Sequence, residues 1–541
     1  MIRRVKCDES RPACRRCVST GRTCDGYGIW GGDGTPYGQP QSNRALSIYC
    51  TPVPAGSLTR EEQTHFDWLM EKTTKKFAGL FRSDFWETLV FQASAQEPAV
   101  RHAVIALSAA HRFEQSHDPW TIPAIYGFNA ERFTLQQYNK AIYCLRVSTA
   151  SDNKNSLRVA LIACLIFTTL EYLRGQYTMG SAHLRYGIQL LANISSPTRP
   201  TTMAPRLLCP AEDFAHSALI DSYSRLSIQC AMFGHVPSDL CVMTRDPQTH
   251  SLPYLFASLR EARQTLDDLL NRIHCLKRHY YTIRESSERK EKDYQDTRET
   301  QSRILSDLSL WRKAYNNSLA RAEDDNSRRE KFGYLLLRVY HEMATIMAAA
   351  SHCPVDEMIF DSFTGQFHTI LESFVELWTF WGGMNIQTKD IEQILKGPEC
   401  GGHGFTVESG YIPPVYYTAL KCRIPRIRRQ AVRALRSAPH REGVWNGPLL
   451  ADVLVEVIKI EEGGFYADDL SVNLSGFPTQ EDLDKPLIPE SSRISDPKII
   501  LPDVVNGDTY LSYKKRDEDG GWLQFKRKVE PELVRSPVDR A

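Results

Sequence analysis

Glu97-Pro98-Ala99-Val100-Arg101-His102-Ala103-Val104-Ile105-Ala106-Leu107 is the stretch on which the fold class turns. Pro98 stands where a first helical residue belongs, because the N–H it lacks would have no partner there. Val100, Ala103, Val104 and Leu107 then recur on one face at the helical period. Upstream, Thr59-x-x-Glu62 has the capping-box pattern, with Phe66, Leu69 and Met70 after it, and Asp84-x-x-Glu87 repeats the signal before Leu89 and Val90. Downstream, Leu135, Tyr138, Ile142 and Leu145 mark a second face, and Leu157, Ala160, Leu161, Cys164 and Leu165 a third. After a break at Gly175, Met179, Leu184, Ile188 and Leu191 mark a fourth. The expected fold is mainly α.

The helical period continues through residues 258–350, with Leu259, Leu266, Leu269 and Leu270, then Ile304, Leu308 and Trp311, then Leu336, Tyr340, Met343 and Met347. Between them, Glu285 to Thr300 is almost wholly polar or charged and offers no apolar stripe to bury, so a mobile connection is expected in preference to a solvated helix. Beyond about residue 463 the pattern weakens into loops. Thr509-Tyr510-Leu511-Ser512-Tyr513 and Trp522-Leu523-Gln524-Phe525 flank Asp519-Gly520-Gly521, which predicts a short C-terminal β-hairpin within 508–528. No internal repeat of fixed period is visible.

The chain has 541 residues, 42% of them apolar, with 66 basic against 65 acidic side chains. That excludes a fully disordered chain and a chromatin-coating polycation. The balance hides an asymmetry: residues 1–28 hold seven basic residues and three acidic ones, a net +4, so the remaining 513 carry −3. From Gly26 to Gly56, seven glycines and four prolines without apolar periodicity indicate a flexible linker. The Gly26-x-Gly28-x-x-Gly31 in it lacks the preceding strand and following helix that a dinucleotide site requires.

No apolar h-region opens the chain, and the best apolar run, Ala160 to Leu173, is short and contains Glu171. Neither a signal peptide nor a membrane span is expected. Most of the fourteen cysteines stand alone in apolar runs, Cys144, Cys164 and Cys230 among them, where a thiol behaves as a small hydrophobe. In the reducing compartment this implies, clustered cysteines are metal ligands before they are disulfides.

Four are clustered, as Cys7-x6-Cys14-x2-Cys17-x6-Cys24. Thiolates suit zinc, and the two-residue spacing of Cys14 and Cys17 lets one tight turn aim both sulfurs at a single ion. The surrounding Arg3, Arg4, Lys6, Arg11, Arg15, Arg16 and Arg22 are what a phosphate-contacting module needs. The run from Arg3 to Tyr27 resembles the fungal binuclear zinc cluster family of transcription factors, built on two C-x2-C-x6-C halves joined by a proline-bearing loop. The second half is complete as Cys14, Cys17 and Cys24, Pro12 stands in the loop, and the first half keeps only Cys7.

In that family six thiolates hold two zinc ions. The resemblance implies that Cys14 bridges both, that Cys17 and Cys24 complete one, and that Cys7 serves the other. Counting back from Cys7 places the nearer of the first half's other two cysteines one position upstream of Met1, so a truncated gene model is expected. If the truncation were real, the cluster would hold one zinc ion or none. The resemblance further implies that Arg3 and Arg4, with Lys6 beside them, read CGG-like triplets of double-stranded DNA in the major groove, where Arg can donate twice to guanine. Arg15, Arg16 and Arg22 are expected on phosphates, which orient without specifying.

Ser83-Asp84-Phe85-Trp86-Glu87, Glu97 to Ala103, Gln137 to Ile142 and Lys421 to Ala431 are similar to the helical regulatory domain that follows such clusters. The implied organisation is a partial zinc cluster at 1–28, a linker at 29–58, a helical regulatory domain at 59–465 and a loop-rich segment at 466–541. The implied function is zinc-dependent, sequence-specific regulation of RNA polymerase II genes in the nucleus. A homodimer or transcription co-regulators are the expected protein partners, and no membrane is expected. A helical interaction protein without DNA contacts is the alternative.

No G-x-S-x-G, H-E-x-x-H or P-loop is present, so no enzyme and no catalytic residue is expected. Cys400-Gly-Gly-His403 is too small a ligand set for a metal site. His102 and His111 lie nine apart, on opposite sides of one helix, and cannot share a local site. The eight Lys or Arg between Lys421 and Arg441, with no acid among them, are expected on the wet face of an amphipathic helix, a second DNA contact being the lesser reading.

Overall fold

A computed structural model describes residues 19, 58–115, 124–149, 154–195, 206–207, 214–234, 242–243, 252–285, 291–322, 328–352, 356–382, 404–438, 440–466, 476–502, 507–517 and 519–531. The chain is mainly α, as its periodicity predicts. Helix α1 (Arg60–Trp68) starts on the capping box: Glu62 N donates to Thr59 Oγ1 at 3.2 Å, and Thr59 N to Glu62 Oε2 at 3.0 Å. A π-helical turn, Leu69–Thr73, joins it to α2 (Thr74–Phe77), and a second, Phe85–Leu89, leads into α3 (Val90–Gln96).

Asp84-x-x-Glu87 does not form a capping box. Asp84 is itself helical and makes no cap; the Trp86 N–H reaches Ser83 Oγ at 3.4 Å, and the Asp84 carboxylate pairs instead with Arg260. A guanidinium distant in sequence outcompetes the backbone amide for that carboxylate, which no local pattern reveals.

Helix α4 (Pro98–Gln115) begins on Pro98, and Val100, Ala103, Val104 and Leu107 are completely buried. It is central rather than amphipathic, because Ile105 and Ala109 on its other side are buried too. Helices α5 (Ala124–Thr149) and α6 (Lys154–Leu173) pack on it, and α7 (Tyr177–Ser195) returns along α6 after Gly175, which takes φ 75°. Leu135 and Met179, both assigned to buried stripes by periodicity, are exposed at 37% and 51%. The window Asn155–Leu173 is long and apolar enough to cross a membrane, yet 78% of it is buried inside the fold. Glu171 within it is held by Arg174 at 2.8 Å.

Helix α8 (Phe214–Met232) leads to a second group: α9 (Leu259–Glu285), α10 (Glu291–Ala322), α11 (Arg328–Ala349) and α12 (Thr364–Gly382). Residues 291–300 are therefore helix, not a connection. Thr297, Gln301, Ile304, Leu308, Trp311, Tyr315 and Ser318 form one buried stripe at alternating four- and three-residue spacing. Its first members are polar, but Gln301 Nε2 closes the end of α11 by donating to the carbonyls of Ala348 and Ala349 at 2.9 and 2.8 Å. A satisfied polar group packs where an apolar one was sought.

Helices α13 (Ile412–Lys421), α14 (Pro425–Arg436) and α15 (Gly447–Glu462) complete the helical body. Three small sheets accompany them. Strands β1 (Arg206–Leu207) and β2 (Val242–Met243) pair in parallel. β3 (Gly404–Thr406) pairs in parallel with β4 (His440–Glu442), which pairs antiparallel with β5 (Trp445–Asn446). The predicted hairpin is present as β7 (Tyr510–Arg516) and β8 (Trp522–Lys528), and β6 (Ser495–Ile500), which no alternating pattern announced, adds to the free side of β7. One hydrophobic core runs from Leu69 to Val529 and takes in residues of every helix from α2 to α15 as well as Ile499 and Leu511 of the last sheet, with Phe66 of α1 packed against it.

Candidate metal centre and nucleic-acid interface

The head residues Arg3, Arg4, Lys6, Cys7, Cys14, Arg15, Arg16, Cys17, Arg22 and Cys24 lie outside the described residues, as do Cys400 and His403. Within the head, Ser19 is described, and it is helical and exposed. The donor set fits zinc by its chemistry: four soft thiolates, two of them at the spacing of a tetrahedral half-site. Among the described residues, no group of three or more His, Cys, Asp or Glu is arranged to hold a metal ion.

His102 and His111 are separated as their spacing requires. His102 Nδ1 lies 2.7 Å from Gln137 Oε1, and His111 Nδ1 lies 2.9 Å from Thr73 Oγ1. Burial, reinforced by Lys76, pushes His111 down to about 4, so it is a neutral core histidine. The thiols of Cys164, Cys230 and Cys422 are pushed up to about 11 by burial, which makes them inert hydrophobes. Cys275 departs from the expected free thiols and is disulfide-bonded.

The basic stretch from Lys421 to Arg441 is not a wet face; most of its charge is spent on acids of the fold rather than left for phosphates. Arg428 is completely buried and Arg423 is 3% exposed. Arg423 Nη2 reaches Glu461 Oε1 at 2.7 Å and Glu357 Oε2 at 3.1 Å, and Arg428 Nη2 reaches Glu461 Oε2 at 2.7 Å. Around this pair, Lys421 meets Glu357 at 2.6 Å, Arg426 meets Asp482 at 2.7 Å and Arg429 meets Glu462 at 2.7 Å. Arg436 meets Asp452 at 2.8 Å, and Arg441 meets Glu114 at 2.6 Å. Burial alone would raise the Glu461 carboxyl, but the two guanidinia hold it down at about 2. Sequence reasoning missed this network because its acids come from 114, 357, 452, 461, 462 and 482, all of them outside the stretch.

The network ties the last sheet to the helices. Arg493 grips Asp361 with both nitrogens at 2.8 Å, and Ile494 N donates to Glu461 Oε1 at 3.1 Å, immediately before β6. Glu442, at the end of β4, is fully buried and accepts from the N–H groups of Gly410, Tyr411 and Ile412 at 2.7, 3.2 and 3.3 Å. A carboxylate thereby satisfies the open amides at the start of α13. A small, partly open cavity between Trp86, Thr169, Arg225, Gln229 and Glu408 has room for about one water, with Gln229 Oε1 and Glu408 Oε2, buried and without a protein partner, as its acceptors.

Comparison with known proteins adds the function class. Residues 2–29 match the fungal Zn(2)-Cys(6) binuclear cluster domain. The chain is similar to the transcription regulator lscL of Purpureocillium lilacinum, 31% identical over 237 residues, which is 41% of this chain and 54% of that protein. It is also similar to the aspercryptin biosynthesis cluster-specific transcription regulator atnN of Emericella nidulans, 32% identical over 209 residues, 35% of this chain and 33% of that protein. The chain thus spans about half the length of the first relative and a third of the second. No solved structure matches. These likenesses favour the DNA-binding reading over an interaction protein without DNA contacts.

Proposed function

Starting from a head that belongs to the fungal Zn(2)-Cys(6) binuclear cluster family, we propose that the chain is a zinc-dependent, sequence-specific DNA-binding regulator of RNA polymerase II transcription, acting in the nucleus. The observation that carries this is the match of residues 2–29, in which Cys7, Cys14, Cys17 and Cys24 keep the family spacing. Zinc supplies the cross-link that folds so small a segment. Cys14 is the bridging ligand and Cys17 and Cys24 complete its half-site. Arg3 and Arg4, with Lys6, read guanines of CGG-like triplets, while Arg15, Arg16 and Arg22 hold phosphates.

Residues 1–28 form the DNA-reading module, 29–58 the linker, 59–465 the regulatory domain and 466–541 its C-terminal extension. The helical body works through protein contacts, in a homodimer or with co-regulators, and not through a catalysed reaction. Similarity to a biosynthesis cluster-specific regulator supports a target set confined to one group of biosynthetic genes.

Fluorescence anisotropy on CGG-bearing and scrambled duplexes tests the role split. Arg4→Ala is expected to lose most of the preference between duplexes, whereas Arg22→Ala weakens both alike and lowers the salt slope by about 1. Equal losses of preference from the two variants would overturn it.

A further inference from the structure

The last sheet has two edges, and only one is closed. β6, at one side, carries Pro497 and a register irregularity between Ser495 and Lys498, with Asp496 at φ 52°. Proline and a bulge are the usual means by which a sheet edge refuses another strand. β8, at the other side, has neither. Its seven residues pair with β7 in seven unbroken register steps, and β7 is its sole strand neighbour among the described residues.

The direction of its free backbone groups follows from the ladder. Asp517 N donates to Gly521 O at 2.9 Å, and Val529 N to Thr509 O at 2.9 Å. Hydrogen-bonded pairs alternate along an antiparallel ladder, so Leu523, Phe525 and Arg527 spend their amides and carbonyls on β7. Those of Trp522, Gln524, Lys526 and Lys528 therefore point away from the sheet, a row of four donors and four acceptors. The side chains do not cover this row. Residues 523–528 are all exposed, and Leu523 and Phe525 keep 49% and 40% of their surface.

We propose that β8 is a docking edge that accepts an extended acidic–apolar peptide of a partner protein as an additional antiparallel strand. Charge selects the occupant. The sequence Trp522-Leu523-Gln524-Phe525-Lys526-Arg527-Lys528 is apolar at its start, carries three cations at its end and contains no acid. Arg527 and Lys528 already hold carboxylates, the largely buried Glu456 at 2.7 Å and the exposed Asp508 at 2.8 Å, so the end of the strand binds anions as it stands. Lys526 is exposed and lies 4.5 Å over the Tyr510 ring, where its ammonium can meet a partner's carboxylate. An antiparallel partner therefore presents acids at its N-terminal end, opposite Lys526 and Lys528, and apolar residues after them, opposite Leu523 and Phe525. A second copy of the chain fits worse, because β8 itself contains no acid to set against Lys526. A nucleic acid fits worse as well, because Asp517 and Asp519 sit at the tip of the same hairpin.

The test is fluorescence anisotropy of the full chain with a labelled peptide of three acidic residues followed by alternating valine and threonine, against the same peptide with lysines for the acids. Binding of the acidic peptide, with slowed amide exchange at Gln524 and Lys526, is the expected result. Gln524→Pro removes an outward N–H that β7 does not use and is expected to weaken binding roughly tenfold, with Gln524→Ala near wild type. Lys526→Glu combined with Lys528→Glu is a second variant that leaves the backbone intact and is expected to abolish binding. The proposal is overturned if the two peptides bind equally, if binding survives Gln524→Pro at full strength in a folded protein, if a duplex protects the same amides instead, or if the chain alone sediments as a dimer that Gln524→Pro dissociates. None of these outcomes depends on the zinc cluster.

Discussion

Arg428 on α14 and Glu461 on α15 meet at 2.7 Å with both side chains completely shielded from water. Arg428 also donates to Ala419 O at 3.1 Å, and Glu461 receives Arg423 at 2.7 Å and the Ile494 amide at 3.1 Å. One carboxylate thus joins the three helices α13 to α15, through Arg423 and Arg428, to the start of the last sheet. Arginine suits the task because its planar fork serves several acceptors at once and it stays charged when buried.

Glu461→Gln should therefore be severely destabilising. It keeps the volume but leaves two buried guanidinia short of charge, and breaking a buried pair of this kind costs about 3–5 kcal/mol. Urea unfolding at neutral pH measures it. A loss below about 1 kcal/mol, the range of a surface pair, would show that the network is not what holds these elements together.

Stability should fall with pH in two successive, slightly overlapping windows. His111 is held at about 4 in the fold, below its ordinary value of 6.5, chiefly by burial. The unfolded chain binds that proton first, so stability is complete above 6.5 and drains as pH falls toward 4. Glu461 is held at about 2, below its ordinary 4.5. Its contribution is present above 4.5 and is lost between 4.5 and 2. Unfolding midpoints collected from pH 8 to 3 should show both slopes, and Glu461→Gln should reduce the lower one, to which Glu62, also held at about 2, still contributes, while leaving the upper.

Two helical glycines should respond with opposite signs to alanine. A Cβ on Gly187 would stand 2.1 Å from the Tyr223 hydroxyl, which is buried and donates to Leu161 O at 2.8 Å, whereas one on Gly365 meets nothing within 4 Å. Gly365→Ala should stabilise by about 0.4–1 kcal/mol through the unfolded chain. Gly187→Ala gains the same propensity but must push a packed tyrosine aside, at about 1–3 kcal/mol, so the net is a loss. Thermal melts of the two variants decide it, and a stabilised Gly187→Ala would mean that α7 and α8 pack less closely than described.

What the sequence made legible was local. Thr59 with Glu62, Pro98 at a helix start and the turn at Gly520 act over a few residues, and all three appear where their spacing puts them. The head was legible for the same reason, since four cysteines and their spacing lie within eighteen residues. What escaped was non-local. Asp84 is claimed by Arg260, the Lys421 to Arg441 charges by acids up to 327 positions away, and the polar start of α10 by the end of α11. Net charge and periodicity describe a segment alone, and cannot say which charged face another segment will neutralise and bury.

Removing zinc should separate head from body. The hydrophobic core is continuous from Leu69 to Val529, and apolar burial of that extent is expected to hold its helices without zinc. A small cysteine module has no comparable core, and metal binding supplies on the order of 10 kcal/mol of its folding. A chelator should abolish binding to a CGG-bearing duplex while the far-ultraviolet helical signal and the unfolding midpoint of the full chain stay unchanged, and restored zinc should return the binding. Loss of helical signal on chelation would place a structural metal in the body. Duplex binding that survives chelation would locate the DNA contact outside Cys7 to Cys24.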